Sequence, residues 1–492
     1  MFNMPDVKLG IVAVSRDCFP ISLSRRRRGD VAAACKKLGI EIFEADTIIE
    51  NENDERKALA EVNAAGVNAL IVYLGNFGPE GPETLLAQEF CGPVMFAAAA
   101  EENIAVLADD RGDAYCGMLN ASYNIDLRGL KPYIPAYPVG TPEEVAAMIG
   151  EFIPVARALI AVRKLKIFSF GPRPYDFFAC NAPIAQLFKL GVNIQENSEL
   201  DLLDAYKKHD GDPRIDGLVK EMAEELARGN CHPGVLPRLA QYELTLLDWA
   251  RDNLGAAEYF VFANKCWPAF ESFFGFVPCY VNSRLAQRGI PVACEVDIYG
   301  ALSEFIGQCV TGGSVTLLDI NNTVPKEMYE KEIKPRYTYG SREVFMAFHC
   351  GNTPICHLVE GKMSYQKIMK RSLEPDSEPN ITRGTLDGQI APGKITFFRL
   401  QSTKDTELKA YIAQGEVLPV APMSFGGIGV FAIPEMDRFY RHVLIAKHFP
   451  HHGAVAFDHA GRALFEVFNL LGVEDISFNR PKNMLYKDEN PF

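Results

Sequence analysis

The sequence has no CxxC pair, no unbroken run of 18 apolar residues and no excess of positive charge among its 492 residues. Without CxxC pairs, zinc ribbons and thioredoxin-like redox motifs are unsupported. The N-terminus lacks a basic stretch followed by an apolar one, so neither a secretory signal nor a membrane span is expected. Lys and Arg number 50 against 63 Asp and Glu, which argues against a general nucleic-acid binder. These absences predict a soluble cytoplasmic protein without nucleic-acid or membrane partners.

The composition is that of a globular protein, with 48% hydrophobic and 23% charged residues. At roughly 150 residues per domain, the length favours about three domains. Apolar runs alternate with helix-like segments over residues 1–165, which predicts a parallel sheet covered on both faces. The strand candidates are 7–14, 41–46, 69–75, 93–98 and 104–109. A predicted helix at 141–165 joins this domain to the next.

The alternation resumes at residue 166 and continues to about 325, which predicts a second parallel-sheet domain. The region that follows holds strand candidates separated by turn residues, and a helical pattern returns at 461–473. The predicted fold class is therefore α/β, with two parallel-sheet domains over 1–165 and 166–325 and a β-rich, barrel-like domain over 326–492.

Two carboxylates end strand candidates in the second domain. Glu295 closes the buried run 290–295, Asp319 closes the run 314–319, and a helical pattern lies between them. We expect a parallel strand–helix–strand unit, which brings both acids to the ligand-binding edge of one sheet. Because such acids repel each other unless they share a cation or a proton, they indicate a Mg²⁺ or Mn²⁺ site. The alternative is that Glu295 caps a helix and Asp319 a turn, while Asp297 is expected to be the helix N-cap.

Histidines supply a second clue, because seven of the nine lie at or after position 349. Imidazole is a common ligand of transition metals and would complete a carboxylate site. The pair His451 and His452, flanked by Pro450 and Gly453, is the stronger candidate, and His349 is a weaker one. The alternative for each histidine is a solvated or hydrogen-bonded loop residue.

Several segments together resemble the L-fucose isomerase and L-arabinose isomerase superfamily, in particular its fucose-isomerase-related proteins. They are GPRPYDFF (171–178), NKCWPAF (264–270), GFVPCYVNSRLAQRGIPVACEVDIYGAL (275–302), LLDINN (317–322), FHCGNTP (348–354) and HFPHHGAV (448–455). The resemblance covers most of the chain, and the acid, acid and histidine follow in the order of the family.

The resemblance implies two Rossmann-like domains, a C-terminal β-rich domain and a homo-oligomer of hexamer type. It implies an aldose–ketose isomerase that uses an ene-diol intermediate and Mn²⁺, with Mg²⁺ or Co²⁺ as alternatives. Glu295 and Asp319 fall on the metal-binding acids, which also form the acid/base pair. The histidine ligand falls on His452, with His451 as the alternate, and the further histidine of arabinose isomerases falls on His349.

Substrate contacts are expected after the strands of the second domain. Arg173 lies between two prolines and is suited to an anionic or hydroxyl group, with a surface ion pair as the alternative. Lys265 and Trp267 follow another strand, and core packing is the alternative for Trp267. By resemblance alone, Asn76 and Phe77 reach the sugar of a neighbouring subunit.

The predicted substrate is a monosaccharide, either fucose- or arabinose-like or a related hexose. Whether the sugar carries an anionic group at C6 stays open. The alternative functions are another metal-dependent enediolate enzyme, such as a sugar epimerase or an aldolase, and a non-catalytic sugar-binding protein.

Overall fold

The computed structural model describes residues 3–226, 232–365, 367–369 and 382–492. By packing, the chain divides into two compact units. The first runs from Pro5 to Ile160, and the second comprises Ala161–Phe492 together with Asn3 and Met4. The division into three domains at 165 and 325 stays a prediction.

The first unit is built on a five-stranded parallel sheet with the order β2-β1-β3-β4-β5. Its strands are β1 (Leu9–Val14), β2 (Ile42–Glu44), β3 (Ala69–Leu74), β4 (Val94–Ala99) and β5 (Val139–Gly140). The helices are α1 (Ile21–Lys37), α2 (Glu52–Ala64), α3 (Glu80–Glu89), α4 (Ile104–Asp109), α5 (Ala114–Leu127) and α6 (Pro142–Val162). Strands β1, β3 and β4 are buried along their whole length, as expected of a sheet covered on both faces.

One strand prediction in this unit is wrong, because residues 104–109 form helix α4. Short apolar runs fit a strand or a helix equally well by pattern alone. The strand position next to β4 is taken by β5, with Ala98 paired to Val139. Ile104 is 85% exposed, so this run does not belong to the core.

Helix α6 is the one helix among the described residues that is long and apolar enough to cross a membrane. The core helices of globular proteins pass the same test. Half of its most apolar window is buried within the folded chain.

The second unit contains a four-stranded parallel sheet with the order β7-β6-β8-β9. Its strands are β6 (Leu165–Gly171), β7 (Asn193–Ser198), β8 (Tyr259–Ala263) and β9 (Val292–Ala293). The helices are α7 (Ala185–Lys189), α8 (Glu199–Lys208), α9 (Arg214–Glu225), α10 (Leu236–Asn253), α11 (Phe270–Phe274), α12 (Cys279–Gln287) and α13 (Ile298–Thr311).

The same unit contains a nine-stranded mixed sheet. Its strands are β10 (Val315–Thr323), β11 (Val344–His349), β12 (Lys362–Tyr365), β13 (Arg383–Gln389), β14 (Gly393–Ser402), β15 (Leu408–Leu418), β16 (Gly427–Ala432), β17 (His452–Ala456) and β18 (Asp475–Phe478). The sheet runs in the order β12-β13-β16-β11-β10-β17-β14-β15-β18, and an additional pairing of β15 with β16 closes six of these strands into a ring. Three helices accompany it, α14 (Lys326–Met328), α15 (Met436–Phe439) and α16 (Gly461–Leu470). The predicted fold class, two parallel-sheet α/β portions followed by a β-rich portion, is confirmed.

The expected parallel unit that would place Glu295 and Asp319 on one sheet is wrong. Strand β10, which carries Asp319, pairs antiparallel with β11 and β17 instead of joining β9. Strand β9 has only two residues and pairs only with β8, whereas β10 has nine residues and two long partners. The acids therefore come from two different sheets.

A buried carboxyl group in the first unit makes a prediction about stability. Glu83 on α3 is fully buried, and its two carboxylate oxygens have no hydrogen-bond partner among the described residues. Burial raises the pKa of Glu83 from its ordinary 4.5 to about 8. The folded state therefore binds a proton that the unfolded state releases, so stability falls as pH rises between these two values.

We expect Glu83→Gln to leave the melting temperature nearly unchanged at pH 5 and to raise it by several degrees at pH 8.5, measured by thermal denaturation. The exposed Glu89 on the same helix provides the control variant Glu89→Gln, which should behave like the parent protein. Parallel melting curves for Glu83→Gln and the parent across this range would contradict the assignment.

Candidate active site

Glu295 lies in a short helical turn, Cys294–Val296, directly after strand β9. Glu295 and Val296 both have left-handed backbone conformations, with φ of 61° and 56°. Such values are unusual for residues other than glycine and occur preferentially at functional sites, where the surrounding structure enforces them. The turn ends at Asp297, whose side chain accepts a hydrogen bond of 2.8 Å from the backbone N–H of Gly300 at the start of α13. The predicted N-cap is confirmed.

Strand pairing brings Asp319 and His452 together. They are direct cross-strand partners in the antiparallel pair of β10 and β17. His452 is completely buried, and its Nε2 atom lies 3.3 Å from Asp319 Oδ1 and 3.1 Å from Glu295 Oε2. The two acids thus meet at one imidazole nitrogen although they belong to different sheets.

A buried ion pair fixes the orientation of this imidazole. Arg399 on β14 donates to both carboxylate oxygens of Asp297, at 2.8 Å and 2.9 Å, and both side chains are buried. His452 Nδ1 lies 2.8 Å from Asp297 Oδ2. Because a carboxylate only accepts hydrogen bonds, the neutral imidazole carries its proton on Nδ1 and keeps a lone pair on Nε2.

The electrostatics keep both aspartates ionised. Burial opposes ionisation of Asp297, but the Arg399 guanidinium and the His452 imidazole hold the pKa of Asp297 far below its usual range. Burial also opposes ionisation of Asp319, yet the adjacent His452 imidazole lowers the pKa of Asp319 to about 2. Without a cation, the centre formed by Glu295, Asp297, Asp319 and His452 therefore contains two aspartate anions. Burial opposes protonation of His452, but the hydrogen bonds to these aspartates and the neighbouring Cys180 raise the pKa of His452 well above its usual range.

Two further histidines border the centre. His349, at the end of β11, is buried, and one of its nitrogens lies within 4.8 Å of ligand atoms of both Asp319 and His452. Burial lowers the pKa of His349. His451 Nε2 lies 3.7 Å from Asp319 Oδ1, and its side chain is more exposed than that of His452.

The donor atoms fit a divalent cation. Glu295 Oε2, Asp319 Oδ1 and His452 Nε2 are buried, and within the described chain none of them has a hydrogen-bond partner. At 3.1 Å and 3.3 Å, the lone pair of His452 Nε2 is repelled by both carboxylate oxygens unless a cation or a proton lies between them. Carboxylate oxygens and an imidazole nitrogen together suit Mn²⁺ and related divalent ions.

The loop after β6 lies against the histidine side of the centre. The Phe177 ring packs perpendicular to the His451 ring, with centroids 5.4 Å apart. Cys180 is buried, with its Sγ 3.4 Å from His452 Nδ1. The predicted substrate-binding residue Arg173 belongs to this loop and donates a hydrogen bond to Asn181 Oδ1 at 2.6 Å.

Lys265 and Trp267 follow strand β8 as expected, but each already has protein partners. Lys265 is 5% exposed, forms a 2.9 Å ion pair with Glu199 and donates to the Pro172 carbonyl at 2.8 Å. Trp267 packs edge-on against Tyr175 and borders a cluster of buried cysteines.

Asn76 and Phe77 belong to the first unit. Asn76 is buried, donates to Ser15 Oγ at 2.9 Å and accepts from the backbone N–H of Arg16 at 3.0 Å. Phe77 stacks on Phe19, and the Arg16 guanidinium lies 4.9 Å from its ring centroid.

Sequence reasoning missed Arg399, Phe177 and Cys180, and it gave Asp297 only its capping role. Arg399 lies in a strand whose residues from Ile395 to Ser402 are all buried. A charged residue in such a strand needs a buried counter-charge, and this was the available signal. Phe177 and Cys180 carry no such signal, because only the folded loop brings them to the histidines.

Comparisons with known proteins identify the family of the chain. A model of the fucose/sulfoquinovose isomerase N-terminal domain matches residues 10–163, and one of the L-fucose isomerase C-terminal domain matches residues 347–477. Together they cover more than half of the chain. The protein is therefore an aldose–ketose isomerase, an enzyme that moves a carbonyl group between C1 and C2 of a sugar.

The chain belongs to the L-fucose isomerase family, as its resemblance predicted. This family is metal-dependent, and the described residues include candidate groups for a metal ion. Similar curated proteins are all named sulfoquinovose isomerase. That of Alkalicoccus urumqiensis is 25% identical over 346 residues, which cover 68% of this chain and 71% of that protein. That of Priestia aryabhattai is 24% identical over 364 residues, which cover 72% of this chain and 74% of that protein. That of Clostridium sp. (strain MSTE9) is 26% identical over 316 residues, which cover 61% of this chain and 62% of that protein.

Asp297→Asn should weaken Mn²⁺ binding roughly 10- to 100-fold, because the neutral amide no longer fixes the His452 tautomer. The same change leaves Arg399 buried without its counter-charge, which should cost about 3–5 kcal/mol of stability. Isothermal titration with Mn²⁺ and urea denaturation measure the two effects separately.

The double variant Asp297→Asn/Arg399→Met removes the unpaired charge. It should recover most of the stability and none of the affinity for Mn²⁺. Recovery of both would show that the carboxylate acts only through its ion pair.

Proposed function

We propose that this chain isomerises an aldohexose with an anionic group at C6, of the sulfonated type, to the corresponding ketose, with a divalent cation held by Glu295, Asp319 and His452. The observation that carries the proposal is that one buried nitrogen, His452 Nε2, lies 3.1 Å from Glu295 Oε2 and 3.3 Å from Asp319 Oδ1. The anionic substrate is supported by the names of the curated relatives and by the position of Arg173.

In this mechanism Glu295 and Asp319 move the protons. Because both carboxylates lie beside the same imidazole nitrogen, both reach the same pair of substrate carbons. One carboxylate removes the proton from C2 and returns it to C1, and the other carries the hydroxyl proton from O2 to O1. These two transfers convert the aldose into the ketose through an ene-diol. The cation, when bound, polarises the carbonyl and stabilises the negative charge that develops on the two oxygens.

The protein side chains hold the cation. Glu295, Asp319 and His452 supply two oxygens and one nitrogen, and His452 is kept in the ligating tautomer by Asp297. Mn²⁺ is the proposed ion, with Mg²⁺ and Co²⁺ as alternatives. His451 is the alternate ligand, more exposed and farther from Asp319.

Arg173 is the proposed anchor of the C6 anion. Its guanidinium has only a neutral amide as described partner, whereas Lys265 is already neutralised by Glu199. Arg173 also lies on the loop that carries Phe177, which contacts the histidines of the centre. A guanidinium recognises the oxygens of a sulfonate or phosphate by paired hydrogen bonds. Lys265 and Trp267 then shape the loop through Pro172 and Tyr175.

The proposal includes a cytoplasmic homo-oligomer of hexamer type. In it, Asn76 and Phe77 reach the sugar bound by a neighbouring subunit. This part of the proposal rests on the family resemblance.

Glu295→Gln and Asp319→Asn should each lower kcat by at least about 100-fold, because each removes a proton-transfer group. The assay uses NMR to monitor ketose formation from 6-sulfonated, 6-phosphorylated and neutral hexoses with added Mn²⁺. It measures this loss of kcat and distinguishes isomerisation from C2 epimerisation. The exposed Asp405 provides the control variant Asp405→Asn, which should retain parental kcat. Parental turnover in either acid variant, with circular dichroism unchanged, would remove that acid from the mechanism.

Arg173→Gln should raise KM for the 6-anionic hexose about 10- to 100-fold, because the variant loses a charge-assisted hydrogen bond to the anion. KM for a neutral sugar should change less than about twofold, because that sugar has no anion to bind. Lys189→Gln, which removes an exposed cation elsewhere in the same unit, is the matched control. An equal rise in KM for both sugars would show that Arg173 supports the loop and does not bind the anion.

A further inference from the structure

The two buried histidines of the centre have different hydrogen-bonding states. The backbone N–H of Cys350 donates to His349 Nδ1 at 2.9 Å. The lone pair of that nitrogen is therefore engaged, and the neutral ring carries its proton on Nε2. His452 shows the opposite arrangement, because its Nδ1 faces the Asp297 carboxylate and its Nε2 keeps the lone pair.

His349 Nε2 is left with a buried N–H and no acceptor. The part of the chain that the structure describes supplies no hydrogen-bond partner to this nitrogen. A buried donor without a partner costs free energy, which an incoming acceptor recovers. A protonated Nε2 cannot also coordinate a metal ion, since the lone pair is the ligating group.

The ring is nevertheless placed at the reacting centre. The rings of His349 and His452 lie 5.7 Å apart and are tilted by 36°. His349 also contributes one nitrogen to a group with Asp319 and His452 whose ligand atoms all lie within 4.8 Å of one another. An oxygen atom of a substrate bound at Asp319 is therefore within reach of this donor.

We propose that His349 donates a hydrogen bond from Nε2 to O1 or O2 of the sugar and is not a ligand of the cation. It acts as a neutral electrophilic donor that becomes more strongly bound as negative charge develops on that oxygen. The inference rests on the proposed metal site. It assigns the two buried histidines to different partners, His452 to the cation and His349 to the substrate.

The test compares three variants of the full-length protein. Isothermal titration gives the Kd for Mn²⁺, and steady-state kinetics give kcat. We expect His349→Leu to keep the Mn²⁺ Kd within about twofold and to lower kcat about 100-fold, as for the loss of one oxyanion donor. His349→Gln, whose amide also donates, should recover part of that loss. His452→Gln should weaken Mn²⁺ binding by 10-fold or more, as the loss of a ligand requires.

An electron spin-echo measurement on the Mn²⁺-loaded parent protein does not depend on any variant folding. One directly coordinated imidazole nitrogen is the expected result, and two would overturn the proposal. Loss of Mn²⁺ affinity in His349→Leu equal to that in His452→Gln would also overturn it. Unchanged Mn²⁺ affinity in His452→Gln would instead refute the proposed metal site, and this inference with it.

Discussion

The buried ion pair between Arg399 and Asp297 is the interaction on which the centre depends. It joins the turn after the parallel sheet to strand β14 of the β-rich sheet, with both terminal guanidinium nitrogens of Arg399 donating to the carboxylate. The same carboxylate caps helix α13 and accepts from His452 Nδ1. Removal of either partner leaves a charge without compensation in a dry environment, which is strongly destabilising. One aspartate therefore fixes a helix start, the contact of two sheets and the tautomer of a candidate ligand.

The centre itself concentrates unfavourable features. Glu295 and Val296 hold left-handed backbone conformations, and two carboxylate oxygens lie beside His452 Nε2 without a hydrogen-bond partner among the described residues. Strain and repulsion of this kind persist only where the surrounding fold enforces them, and a cation would relieve the repulsion. A divalent cation at this position would be attracted by both carboxylates and by the lone pair of His452 Nε2, and this attraction is the physical basis of the proposed metal dependence.

The sequence allowed much of the fold to be predicted, because buried parallel strands are nearly continuous apolar runs. It failed at residues 104–109, where five apolar residues and an aspartate fit a strand as well as a helix. It also failed at β10, whose partners lie more than 20 residues away in β11 and more than 130 residues away in β17. Both acids were predicted from apparent strand ends. The expected shared sheet was wrong, and Asp319 lies in the middle of β10 and not at its end. Arg399 lies far from Asp297 in the chain, so no local pattern connects them.

The most direct test of the proposed metal site is anomalous X-ray diffraction at the manganese edge from crystals of the Mn²⁺-loaded protein. We expect one strong peak per chain, roughly 2–2.5 Å from Glu295, Asp319 and His452 Nε2, with His349 outside that distance. A peak coordinated by Cys180 and Asp297, or by His451 in place of His452, would contradict it, as would the lack of any peak at this centre.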